Sequence, residues 1–539
     1  MVNPIALPSN PDPTTASDAQ APRGPGHPSW AELTVAIGAF VAFCVLVLIK
    51  ATALLEPDDS AYLASITALS HGELLLTAAQ YHALGTELAR HGGQGVMQWV
   101  HLSSGRWVSE KNPGYPFYAV VFQWLHALRL APLFAGGLAS TSLFIAGRRW
   151  LGRWGGTYSV LLFLASGAAL SFAWRATMST FTDASFIAVG ASLVLWAMLA
   201  QEHAERRRML VGLAGFAALE LSTSMRYTNV VVLAVAALAV LAFRRASGLR
   251  LKSVFVWMAS IAISGAAIMG FNLVVYGSAT KTGYADGLIT FAWSAVWPNL
   301  KHLPWPLLQA MPAAGLAMLA LGWMTLRFLR RARPGASAST ATRDLLVGLS
   351  LGAAWLALWG LYLAYTWTVG GGGGPGGGPS GLHHIAQAGA LNLPPMGGGP
   401  GTVGAGGMGG GGGIHVIRFY VPAIGLLALL GAWLLVQLPR WVTALGLGGI
   451  AVAALLSFHS LTAEGAMGAH GFPGGGRGDV GAGRPGSTPP TRDQHPEPGQ
   501  LPRQPDQDRG SHGPPYGGPG GFGPPPGAPR GGEPGATTR

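Results

Sequence analysis

The sequence predicts an all-α polytopic membrane protein with about 11 transmembrane helices and an extracytoplasmic first loop that carries interfacial helices. Three observations predict it. Of 539 residues, 49% are hydrophobic and only 10% are charged. Apolar runs of about 20 residues, long enough to cross a bilayer, recur along the chain, and a soluble domain could not keep so many of them in water. The basic residues cluster at the ends of these runs, where positive charge orients spans toward the cytoplasm. That placement accounts for the net charge of +12, so no nucleic-acid partner is expected. The single cysteine, Cys44, lies inside the first apolar run, and no intramolecular disulfide can form.

Residues 1–30 are rich in Pro, Ser and Asp and lack the apolar core and cleavage site of a signal peptide, which predicts a disordered cytoplasmic leader. The first span, 33–55, then serves as its own signal anchor, with Lys50 near the outer end, where its stem can snorkel. Further spans are expected at 131–147, 156–173, 184–200, 210–222, 228–243, 254–275, 307–328, 345–367, 417–438 and 441–461. Together they make a membrane domain over 31–461. The stretch 114–130 is apolar but short, and it carries His126 and Arg129. Charge decides its place: if it lies along the surface, the basic turns around Arg148, Arg206, Arg244 and Arg330 all fall on the cytoplasmic side. It is therefore read as an interfacial helix.

That topology puts the N-terminus in the cytoplasm of an inner (plasma) membrane protein. The first loop (56–130), "WRATMSTFTDAS", "STSMRYTN" and the glycine-rich loop 370–415 fall outside. The Gly/Pro-rich tail 462–539, too poor in large aliphatics to fold, also falls outside. The glycine-rich loop lacks the strand, spacing and Lys-Ser/Thr of a phosphate-binding loop and reads as a flexible linker, placed where it could cover a site. Function is expected on the outer face.

The outer face gathers chemistry. "LLEPDDSAYLA" sets Asp58 and Asp59 directly after a span, with Tyr62 one helical turn beyond Asp58. Asp183 lies in "FTDAS", Arg226 in "MRYTN", and Arg418 opens "RFYVPA". The plainer alternatives are solvated carboxylates at a span edge and, for Arg418, a topological flank. His71, His82, His91 and His101 are spaced by 11, 9 and 10 residues, which matches no compact ligand motif. His383 and His384 are adjacent, inside the glycine-rich loop, and are read likewise.

"PDDSAYLA" resembles the Asp-Glu-x-x-Tyr motif in the first external loop of GT-C glycosyltransferases, the superfamily of protein O-mannosyltransferases and lipid A aminoarabinose transferases. In the same order, "EKNPGYPFYAVVFQ" is similar to that group's Pro-Gly-Tyr-Pro interfacial helix, and "TMSTFTDASFIAVGASL" to its second-loop acidic segment. "MRYTNVVVLAVAAL", "FNLVVYGSATKTGY" and "IRFYVPAIGLLALL" resemble further segments of bacterial members. One position departs: the family's Glu is Asp59 here.

The resemblance implies a GT-C-like bundle that transfers a hexosyl or pentosyl group from a polyprenyl-phosphate donor to an acceptor hydroxyl of a protein, glycan or lipid at the outer face. It implies Asp58 as general base with inversion at the anomeric carbon, and Asp59 or Asp183 orienting acceptor or sugar. Arg418, Lys111, Lys281 and Arg226 are the candidates to receive the departing phosphate, and Tyr62 and Tyr115 join them as substrate-binding candidates. No cofactor is expected; a divalent metal stays open, although "FTDAS" lacks the Asp-x-Asp of the oligosaccharyltransferases. The competing class is a transporter or lipid flippase. It would carry charge near the midplane, where Glu220 is the one plausible carboxylate.

Overall fold

The structure, a computed structural model, describes residues 27–50, 57–90, 96, 98–284, 290–331, 338–368 and 414–470. The leader, the glycine-rich loop with His383 and His384, and the tail from 471 lie outside the described residues.

Every apolar stretch expected to span is largely helical. Six helices are long and apolar enough to cross a membrane: α1 (Trp30–Ile49), α5 (Leu130–Leu151), α8 (Thr180–Leu199), α11 (Leu251–Tyr276), and the Thr342–Leu363 and Arg440–Thr462 portions of α15 (Ala338–Leu363) and α18 (Arg440–His470). Two more follow if bent pairs count as one span each. One is α6 (Gly155–Leu164) with α7 (Gly167–Trp174), bent by 60°; the other is α13 (Pro304–Ala310) with α14 (Ala313–Arg331), bent by 105°. The described residues thus hold six to eight such helices rather than eleven. The shortfall has physical causes. α9 (Glu205–Met225) opens on one glutamate and three arginines, and α10 (Val230–Phe243) and α17 (Ile424–Val436) are too short.

α17, "IGLLALLGAWLLV", is apolar all round and buried on nearly every side, as a helix at the centre of a bundle must be. It packs against α5, α6, α8, α14 and α15. α8 and α9 approach closely through Gly190 and Gly215: a Cβ on Gly190 would sit 2.7 Å from the Gly215 carbonyl oxygen. α1, α11 and α18 are mostly exposed and apolar, the composition of a lipid-facing surface. This is an integral multi-pass membrane protein.

Between α1 and α5 the chain builds a small cap. α2 (Pro57–Ser70), α3 (Ala78–Arg90) and the antiparallel strands β1 (Trp99–His101) and β2 (Trp107–Ser109) close over a second core of Ala64, Ala68, Leu76, Leu84, Leu88 and Trp99. α4 (Gly114–Trp124) has 11 residues, about 16 Å of helix and too short to cross. It buries Tyr115, Pro116, Ala119 and Val120 and exposes Phe117, Val121 and Trp124, the one-sided pattern of a helix lying in an interface.

The two ends of the bundle differ. Arg129, before α5, donates to the Val47, Leu48 and Lys50 carbonyls at the end of α1, and Lys50 donates to Thr462 near the end of α18. α1 therefore begins at one end, and α18 reaches the other. The basic turns gather at the end where α1 begins: Arg148 pairs with Glu32, Arg149 with Glu202, and Arg208 donates to the carbonyls of Ala197, Ser247 and Gly248.

Candidate active site

At the opposite end, four separate segments deliver charge to one place. Pro57 starts α2 with its φ already helical, so Asp58 and Asp59 fall in the first turn, where free backbone N–H groups favour negative charge. Successive helical residues point about 100° apart, and the two carboxylates diverge. Asp58 faces the cap, and its oxygens lie 2.9 Å from Lys111 Nζ and 2.7 Å from Arg418 Nη1. Asp59 faces the bundle and is fully buried. It pairs with the equally buried Arg175 and accepts a 2.9 Å hydrogen bond from Thr177.

Lys111 follows β2 and is buried, with Glu110 at 3.5 Å and the Tyr284 hydroxyl at 3.4 Å. Tyr284 can reach it because Gly283 lies flat on the Glu110 backbone; a Cβ there would come within 2.3 Å of Glu110 Cα. Arg418 follows a short helical turn, α16 (Ile414–Ile417), and stacks on Phe419 at 4.8 Å. Its carbonyl accepts from Arg226, whose Nε lies 3.5 Å from Asp183. Asp183 also accepts from Ser222 and Asn229, each at 2.6 Å.

The charges set one another. Burial raises the Asp58 carboxyl, but Arg418 and Lys111 outweigh it and hold Asp58 far below the usual carboxylate range. Burial pulls Lys111 down, while Tyr284, Asp58 and Glu110 push it above its ordinary value, so it stays protonated. Burial keeps Glu110 raised, against the pull of Lys111.

Of the residues singled out from sequence, Asp58, Lys111 and Arg418 make one cluster, joined through the Arg418 backbone to Arg226 and Asp183. Tyr62 lies beside it, its hydroxyl accepting from Ser179 at 3.1 Å. Tyr115 is fully buried edge-on to Tyr62, its hydroxyl bound to the Ala176 carbonyl. Lys281 is exposed and forms no ion pair among the described residues. Asp59 is turned away.

No protein-family profile matches the chain, and no curated protein does. The fold is similar to that of ArnT from Cupriavidus metallidurans. With the apo state the TM-score is 0.43 at 16% identity, over 77% of this chain and 62% of that one. With the form bound to undecaprenyl phosphate it is 0.42 at 13%, over 82% and 72%. It is also similar to the apo oligosaccharyltransferase of Archaeoglobus fulgidus, at 0.41 and 11%, over 81% and 56%. This chain thus spans less than two thirds of the first and third of these. Scores of this size assign this chain neither an activity nor a substrate.

Sequence reasoning missed Glu110, Tyr284 and Arg175. Glu110 stands next to Lys111 in "EKNPGYP", a signal that was available. Arg175 was not: in "WRATMST" it reads as a loop charge, and its partner is 116 residues away. Glu220 accepts from Ser260 at 2.8 Å and Ser264 at 2.6 Å on α11, two hydroxyls and no cation among the described residues. Nor do three or more His, Cys, Asp or Glu side chains come together there as a metal site would require.

Proposed function

We propose that this protein transfers a sugar from a polyprenyl-phosphate donor to an acceptor hydroxyl at the outer face of the membrane, with Asp58 as general base. The observation that carries the reading is Asp58 clasped between Lys111 and Arg418, two cations that are themselves nearly buried. Two fixed cations at the mouth of an apolar bundle suit a phosphate whose tail lies in lipid. The guanidinium fork of Arg418 offers two parallel donors, and Lys111 offers a point charge.

The same clasp explains how the base is activated. With both cations on it, Asp58 is too acidic to take a proton from a hydroxyl. A donor phosphate that draws Lys111 and Arg418 onto its own oxygens leaves the carboxylate without counter-ions, and its pKa rises toward a useful value. Asp58 then accepts the acceptor's proton as that oxygen attacks the anomeric carbon from the face opposite the phosphate. The anomeric C–O bond breaks, and polyprenyl phosphate departs onto Lys111 and Arg418. Configuration is inverted. Asp183 with Arg226 lines the inner wall and orients the sugar, Tyr62 and Tyr115 shape the floor, and Asp59 holds α2 to the bundle through Arg175.

The test is transfer by purified protein supplied with labelled polyprenyl-phosphate sugars and short hydroxyl acceptors. Release of polyprenyl phosphate together with a labelled acceptor is expected. Movement of an intact lipid-linked sugar across a vesicle bilayer, with no bond cleavage, would replace this reading with the flippase.

A further inference from the structure

The end of the bundle where α1 begins holds a second polar site, separate from the Asp58 cluster. A recess of about 430 Å³ opens between the start of α1, the end of α5 and the turn that joins α8 to α9. Its floor is apolar, made by Phe144, Ile145 and Trp196, and its polar lining is Arg148, Arg149, Glu202 and His203. Arg207 stands beside it, its guanidinium 5.5 Å from the centre of the Trp196 ring. The volume is in the range of ligand-binding cavities, about 300–1,000 Å³.

The charge balance of the rim is positive. Arg148, Arg149, Arg153 and Arg207 face two carboxylates, Glu32 and Glu202. Glu32 is fully engaged by Arg148, Arg153 and the backbone N–H groups of Ser29 and Trp154. Glu202 lines the recess itself, 47% exposed, and meets Arg149 and His203. Arg149 gives Nη2 to Glu202 and to the Leu199 carbonyl, and of its five N–H groups those on Nε and Nη1 remain, beside those of the neighbouring Arg207, to meet a further anion.

We propose that this recess binds one anionic phospholipid, its phosphate between Arg149 and Arg207 and the first part of an acyl chain on the Phe144, Ile145 and Trp196 floor. The apolar floor argues for a lipid over a free anion. Ile145 is 44% exposed on the outward face of a spanning helix, so the floor runs continuously into the lipid-facing surface. Basic pockets between helices near a membrane surface suit anionic headgroups, each arginine contributing about 1 kcal/mol, which is about fivefold in affinity. The proposal does not depend on the transfer reaction.

Thermal unfolding of the full chain in non-ionic detergent, titrated with short-chain phosphatidylglycerol, phosphatidylcholine or sodium phosphate, tests it. Phosphatidylglycerol should raise the midpoint at concentrations where phosphatidylcholine and sodium phosphate do not. The double variant Arg149→Gln with Arg207→Gln should need about 25-fold more phosphatidylglycerol for the same rise. Ile145→Trp, at an exposed position and without change of charge, should block the floor and remove the rise; it carries the test if the double variant fails to fold. Equal rises with both phospholipids, the whole effect from sodium phosphate, or a wild-type titration in Ile145→Trp would each overturn the proposal.

Discussion

Asp58→Asn is nearly isosteric, yet it takes from Lys111 and Arg418 the carboxylate they share. Lys111 and Arg418 are only 4% and 12% exposed, and both lie within 3 Å of Asp58. At an effective dielectric of about 20, each contact amounts to roughly 6 kcal/mol of Coulomb attraction. Desolvation cancels much of it, and removing one partner of a buried pair leaves a net cost of about 3–5 kcal/mol. Asp58 is 16% exposed, so the lower figure applies. Part of that cost returns when a phosphate supplies the missing charge. The variant should therefore bind polyprenyl phosphate more tightly than wild type, by about 10- to 100-fold within a ceiling of about 3 kcal/mol. Turnover should fall by about 100- to 10,000-fold, the usual loss of a general base. Unfolding in detergent with and without polyprenyl phosphate, beside single-turnover kinetics, reads both. Weaker or unchanged phosphate binding would remove Lys111 and Arg418 as the phosphate site. Near-normal turnover would remove Asp58 as the base.

Asp59→Asn should behave oppositely, costing about 3–5 kcal/mol of stability by taking the carboxylate of a fully buried ion pair from Arg175, and polyprenyl phosphate should not restore it; wild-type thermal stability would contradict this. Gly283→Ala would drive its Cβ into the Glu110 backbone, so the donor's KM should rise, about tenfold for about 1.4 kcal/mol of lost positioning, and the unfolding midpoint should fall; a wild-type KM and midpoint would contradict the contact. Arg418→Lys should lose part of donor affinity and Arg418→Ala most of it; full activity in both would make the residue a topological flank. Burial raises the Glu110 carboxyl, so its contribution to stability is complete below its ordinary value of 4.5 and is lost as pH rises through the raised one. Glu110→Gln should accordingly unfold at a higher temperature than wild type at pH 8, with the gap closing below pH 4.5.

The helical segments were legible because apolar runs between basic turns leave little else possible. Asp58 and Arg418 were legible as charges at the ends of such runs, and Lys111 only through the motif "EKNPGYP" that it opens with Glu110. What spacing could not separate was Asp58 from Asp59, because a single helical step sends one to the cap and the other into the bundle. The breaks at Ala165 to Ser166 and at Met311 to Pro312 were also hidden, although Pro312 lies at the second of them. Hydropathy averages over a window and does not register direction. The Gly283 contact could not be read either, since it depends on two backbones meeting 173 residues apart.

The placement of α17 has a consequence for biogenesis. A ribosome delivers the chain from its N-terminus, so the helix that α5, α6, α8, α14 and α15 all pack against is among the last to be made. Until Ile424–Val436 enters the membrane, those five helices have no common centre, and Arg418, six residues upstream, has not yet closed on Asp58. The closed clasp is thus a mark of a finished chain: a nascent or truncated copy without Arg418 lacks one of its two jaws.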